Sequence, residues 1–120
     1  MSEGETKPVV LVIDDEPAIR LLCRVNLELG GYEVREAGTL NAARAQLTDD
    51  VAVVLLDMHI GNQRGEILLD ELKERQIPVA VVTGSTDLDS IAHKADAVLG
   101  KPFTIVELEA TVARLAGQDR

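Results

Sequence analysis

The sequence predicts a doubly wound α/β fold: a three-layer sandwich whose five-stranded parallel sheet, ordered 2-1-3-4-5, is covered by five helices. Three observations predict it. Four apolar runs (9–13, 51–56, 79–82 and 97–99) are unbroken, as strands buried on both faces must be. Strand and helix signals alternate five times within 120 residues, the pattern of βαβ units whose crossovers place helices on both sides of one sheet. Each of these runs then stops on polar residues: Asp14-Asp15, Asp57, Thr83-Gly84 and Lys101-Pro102. In open α/β sheets the carboxyl ends of the strands are where ligands bind.

Strand one is read as Val9–Ile13. Helix one starts near Pro17, a residue suited to a first turn, and ends before Gly30-Gly31. Ala18, Leu21, Leu22, Val25 and Leu29 recur along it at helical spacing and predict its buried stripe. Strand two, about Tyr32–Glu36, alternates with charged neighbours and reads as an edge strand. Helix two runs from a Thr39 cap to about Leu47. Strand three is Val51–Leu56, followed by a loop through Arg64. Helix three spans about Gly65–Arg75, with Ile67, Leu68 and Leu72 on one side. Strand four is Val79–Val82, a short helix four occupies about Leu88–Lys94, and strand five is Ala97–Leu99. Helix five opens on Thr104 with Glu107 three residues on, a capping box, and Val106, Leu108, Val112 and Leu115 are expected to face the sheet. One domain, 8–117, is expected, with flexible ends at 1–7 and 118–120.

Composition narrows the function classes. The formal net charge of −9 argues against direct nucleic-acid binding, since phosphate backbones attract basic surfaces. Only Tyr32 and Phe103 are aromatic, so the core is aliphatic. The single cysteine, Cys23, cannot form an internal disulfide and reads as a buried thiol. No apolar stretch approaches the ~20 residues that span a bilayer, and the polar start lacks the apolar core of a signal peptide. A cytoplasmic setting is expected.

The strand ends carry the chemistry. Two carboxylates about 4 Å apart repel by about 4 kcal/mol at an effective dielectric near 20, so Asp14-Asp15 after a buried strand is costly, and Asp57 on the neighbouring strand adds to it. A bound Mg²⁺ removes the repulsion, and one or two carboxylates with retained waters suit that ion. Lys101 supplies a compact positive charge for a phosphoryl oxygen, and Lys101-Pro102 invites a cis peptide. Thr83, before flexible Gly84, supplies a hydroxyl. Taken together these residues make a divalent-metal phosphoryl-transfer site. Neither a P-loop nor a G-x-G-x-x-G follows strand one, a G-x-S-x-G elbow is missing, and His59 and His93 lack zinc spacing with Cys23.

Asp14-Asp15-Glu16-Pro17, Asp57, Thr83-Gly84 and Lys101-Pro102-Phe103, in this order over nearly the whole chain, resemble the receiver domain of two-component response regulators. The resemblance implies that Asp57 accepts a phosphoryl group from a phosphohistidine on a sensor histidine kinase or histidine phosphotransfer protein. It implies that Asp15 and Asp57 bind Mg²⁺ directly with the backbone carbonyl of His59, and that Asp14 acts mostly through metal-bound water. Lys101 would pair with the phosphoryl group and Thr83 would hydrogen-bond it. Such a domain modifies only itself and is not an enzyme in the usual sense; a homodimer is allowed, and no membrane partner is implied. His59 and Ser85, two residues beyond Asp57 and Thr83, stand where side chains influence water attack on the acyl phosphate.

Three departures stand out. Val98 occupies the place, three residues before the lysine, where the family carries a switch aromatic. The interval from Thr83 to Lys101 is short, which erodes helix four. Ile60-Gly61 replaces the common Met-Pro, so the loop to Gly65 is expected to be more flexible. Two other readings compete: a pseudo-receiver acting only as a protein-interaction module, motivated by Val98, and a flavodoxin-like flavin carrier, for which a hydroxyl-rich phosphate loop and stacking aromatics are missing.

Overall fold

The structure, a computed structural model, describes residues 7–84 and 94–117. The expected helix four, Ser85 and His93 lie outside the described residues, apart from Lys94, which falls in a turn; so do most of the two expected flexible ends.

Strands β1 (Val9–Ile13), β2 (Glu33–Ala37), β3 (Val51–Asp57), β6 (Val79–Thr83) and β7 (Ala97–Gly100) form one sheet in the order β2-β1-β3-β6-β7. Every pairing in it is parallel. This is the expected 2-1-3-4-5 order once the small hairpin β4 (His59–Ile60) and β5 (Gln63–Arg64) is set aside. The β1, β3 and β6 strands are apolar because both their faces are covered. Alternate side chains point to opposite faces of a strand, so β1 divides its residues between two cores. Leu11 and Ile13 pack with Leu40, Ala43, Leu68 and Leu72, beneath α2 (Leu40–Gln46) and α3 (Glu66–Glu74). Val10 and Val12 pack with Cys23, Leu27, Leu108 and Val112, beneath α1 (Pro17–Leu29) and the C-terminal helix α4 (Ile105–Leu115). The result is the doubly wound three-layer sandwich, with two helices on each face among the described residues.

Several local expectations hold in detail. Pro17 opens α1, Thr39 caps α2 by accepting from the Ala42 amide, and Thr104 and Glu107 form the reciprocal capping box of α4, the fifth helix of the sequence reading. Others are corrected. The stripe expected on α1 is not its buried face: Leu21 is 59% exposed and Leu29 82%, with Leu22 and Val25 also exposed, and the helix buries Cys23 and Leu27 instead. On α3 the buried residues are Leu68, Leu69 and Leu72, and Ile67 is exposed; on α4, Leu108 and Val112 are buried while Val106 is exposed. Strand β2 runs one residue later than expected, which buries Ala37. The loop expected between β3 and α3 contains a tight hairpin, with His59 opposite Arg64 and Ile60 opposite Gln63. Among the described residues no helix is long and apolar enough to cross a membrane.

Candidate functional site

Parallel strands share a direction, so their carboxyl ends share an edge. Asp14 follows β1, Asp57 ends β3, Thr83 ends β6 and Lys101 follows β7. The pairings Ile13 with Leu56, Asp57 with Val82 and Thr83 with Gly100 place those ends side by side.

Carboxylate oxygens of Asp14, Asp15 and Asp57 lie within 4.8 Å of one another. Asp14 and Asp57 are buried and Asp15 is exposed. Their charge is met from two sides. Lys101 Nζ stands 3.0 Å from Asp14 Oδ2, 3.4 Å from Asp57 Oδ2 and 3.6 Å from Glu16 Oε1. Backbone amides meet the rest: Glu16 N donates to Asp14 Oδ1 at 2.9 Å, His59 N to Asp57 Oδ1 at 3.2 Å and Gly61 N to Asp15 Oδ2 at 2.8 Å. Among the described residues no buried side-chain oxygen or nitrogen lacks a hydrogen-bond partner. The cluster opens into a crevice of about 710 Å³ lined by Asp15, Glu16, Asp57, His59, Gly61, Gly84 and Lys101.

The electrostatics follow from this crowding. Burial pushes the Asp57 carboxyl above its ordinary value and the charge of Asp14 adds to that, while the His59 amide and Lys101 pull the other way. Burial by itself would lower Lys101, but its hydrogen bond to Asp14 and the charges of Asp14 and Asp57 outweigh this and hold the ammonium above its usual range. Cys23, 2% exposed under the same floor, is pushed up to about 11 by burial first and by Asp14 second. It is an inert thiol. The donor set suits a hard divalent cation, which favours carboxylate and carbonyl oxygen, and it holds more negative charge than one lysine balances.

The backbone is shaped for these contacts. The Lys101-Pro102 peptide is cis, as the dipeptide suggested, and the Lys101 amide donates to the Thr83 carbonyl oxygen at 3.0 Å. Thr83 is buried at 3% exposure, and Gly84, next along the chain, reaches the crevice wall. A Cβ on Gly65 would come within 2.6 Å of the Asp57 carbonyl oxygen, so the start of α3 presses against the strand end and only glycine fits. Val98, on β7, is half-buried and pairs with Val81.

Six of the residues singled out from the sequence thus gather at one edge: Asp14, Asp15, Asp57 and Lys101 in direct contact or within a few ångströms, His59 beside them in the crevice wall, and Thr83 at the end of the adjacent strand; Ser85 lies outside the described residues. Missed were Glu16, which shares Lys101, and Arg20, whose Nη1 donates to the Asp14 carbonyl oxygen at 2.7 Å while its Nε donates to Glu36. Missed also were the Gly61 amide and the close approach at Gly65. Gly61 and Gly65, four residues apart in the loop after Asp57, were the visible signal; the arginine had none.

Known proteins share this sequence pattern and fold. The model of the response regulator receiver domain matches residues 10–113. The transcriptional regulatory protein KdpE of Mycobacterium tuberculosis is 36% identical over 105 residues, covering 82% of this chain and 46% of that protein. The crystal structure of the NtrX receiver domain from Brucella abortus superposes with a TM-score of 0.82 at 28% identity, covering 92% of this chain and 99% of that one. The solution structure of the beryllofluoride-activated NtrC4 receiver domain dimer gives a TM-score of 0.82 at 28% identity, covering 92% and 97%. The chain spans about half the length or less of the curated relatives it matches. With the family model matching residues 10–113 and the fold shared with solved receiver domains, the chain belongs to the response regulator receiver domain family.

Proposed function

We propose that Asp57 is the phosphoacceptor of this domain and that its donor is a phosphohistidine on a sensor histidine kinase or histidine phosphotransfer protein. An Asp57 oxygen attacks phosphorus, the P–N bond breaks, and the imidazole leaves with its electron pair and takes up a proton. Asp14, Asp15 and Asp57, with the backbone carbonyl of His59, would hold Mg²⁺. When bound, that ion supplies positive charge against the carboxylates and the transferring group. The rest belongs to the chain itself. Lys101 already sits between Asp14 and Asp57, so it is placed to follow the charge as it builds on the phosphoryl oxygens. The Thr83 hydroxyl, at the end of the adjacent strand, would hydrogen-bond the phosphoryl group once formed. The dianionic product differs from the free carboxylate in charge and size, which is the means by which such a modification biases a two-state surface.

The observation that carries this reading is the arrangement around Asp57: a buried carboxylate at a crevice edge, 3.4 Å from one ammonium and within 4.8 Å of two further carboxylates. The reaction is confined to the domain's own side chain, and the reading sets the domain in the cytoplasm. Transcriptional regulation belongs to relatives whose full length is about twice this chain or more; for this domain it is one output that the switch could drive. Val98 favours one second reading, a module that binds partners without being phosphorylated. Intact mass after incubation with acetyl phosphate and Mg²⁺ separates the two. Wild type should gain one phosphoryl group, and neither Asp57→Asn nor wild type in EDTA should gain any. No gain in wild type, with donor and metal active on a control receiver, transfers the assignment to the binding module.

A further inference from the structure

We infer that the β4–β5 hairpin positions Asp15 through the Gly61 amide and so sets how tightly the acidic cluster holds a divalent cation. This rests on the Mg²⁺-dependent reading above. Lys101 serves Asp14 and Asp57 but, among the described residues, Asp15 has no ion-pair partner. An exposed aspartate is otherwise free to change rotamer. What holds it is the 2.8 Å bond from Gly61 N to Oδ2, spanning 46 residues of sequence. A carboxylate accepts through both oxygens, so this bond orients Asp15 and leaves Oδ1 for a ligand.

The hairpin is a firm support. Met58 and Ile60 are buried, at 0% and 3% exposure, and the Gly65 amide closes the segment by donating to the Met58 carbonyl oxygen at 2.9 Å. The same stretch donates its His59 amide to Asp57. One short piece of backbone therefore fixes two of the three carboxylates. Gly61 lies at φ +61 with nothing within 4 Å of an added Cβ. Glycine is needed there for backbone conformation rather than for space. Proline at this position would remove the donor and could not take that φ; alanine would keep the N–H under the same positive-φ strain. Gly61 is a positioning residue: it acts on the cation through Asp15.

The test is the Mg²⁺ dissociation constant from amide chemical shifts of wild type, Gly61→Ala and Gly61→Pro, with acetyl-phosphate phosphorylation rates measured alongside. Loss of a partner that orients a metal ligand weakens binding by about tenfold or more, so Gly61→Pro should bind Mg²⁺ roughly 10-fold more weakly while Gly61→Ala stays within about threefold. At saturating Mg²⁺ the phosphorylation rate of Gly61→Ala should stay within about twofold of wild type, because its N–H to Asp15 is kept and the His59 amide still serves Asp57. A separate readout needs no proline: in metal-free protein the Gly61 amide should exchange its hydrogen about tenfold faster in Asp15→Ala than in wild type. Equal Mg²⁺ affinity in Gly61→Pro, equal losses in the alanine and proline variants, a larger loss of rate in Gly61→Ala at saturating Mg²⁺, or unchanged Gly61 exchange would each overturn the inference. A wild type that takes up no Mg²⁺ would instead overturn the reading beneath it.

Discussion

Glu36 is tied to the site without touching it. From the edge strand β2 it accepts from Arg20 Nε at 3.1 Å and from Arg24 Nε at 2.5 Å, and Arg20 continues to the Asp14 carbonyl oxygen. The bond from Arg24, followed by that from Arg20, holds the Glu36 carboxyl below its ordinary value. A depressed folded value means that the unfolded chain takes the proton first. The contribution is therefore present above the ordinary 4.5 and lost as pH falls through the lowered folded value. Glu36→Gln should cost about 1 kcal/mol at pH 7, the partial exposure of the cluster keeping it from costing more. The gap to wild type should narrow below pH 4.5, which denaturant unfolding at neutral and acid pH would show. A gap independent of pH would mean that packing of the side chain, not its charge, is what matters.

Among the elements, α1 shows where periodicity misleads. Apolar residues occur around much of this helix, so more than one stripe fits the 3.6-residue period. The one at Ala18, Leu21, Leu22, Val25 and Leu29 is fuller than the one at Ile19, Cys23 and Leu27, yet the latter packs on the sheet. Pro17 and the turn from Asp14 fix where the helix begins and therefore which way each residue points. Two leucines on the same helix make the comparison sharp. Leu27→Ala, at a site with no exposure, should destabilise by roughly 2–5 kcal/mol. Leu29→Ala, at 82% exposure, should stay within about 0.5 kcal/mol. Equal values from thermal or urea unfolding would contradict the observed orientation. The capping box of α4 was legible because it is a local device, closed between residues three apart.

For the molecule as a whole, the acidic edge concentrates like charge at one place. Three carboxylates converge there and one lysine offsets them, in a chain whose formal net charge is already −9. A cation that binds the native cluster and not the unfolded chain stabilises by mass action, about 2.7 kcal/mol at a concentration 100 times its dissociation constant. The melting temperature should therefore climb with Mg²⁺ and fall back on addition of EDTA, and Asp57→Asn should blunt the climb. A melting temperature that ignores Mg²⁺ across the millimolar range would speak against the cluster as a cation site.

By itself the sequence determined the fold class and the identity of the strand-end residues. Unbroken apolar runs can be satisfied only by burial on both faces, and charged residues directly after such runs are costly enough to stand out. What only the tertiary structure decided was partnership: Arg20 with the Asp14 carbonyl, the Gly61 amide with Asp15, Gly65 against the Asp57 carbonyl, and the buried face of α1. Those contacts join residues far apart in the chain, through backbone groups that every residue possesses. No residue type or spacing marks them, and they come into being only when the sheet closes and sets its strand ends side by side.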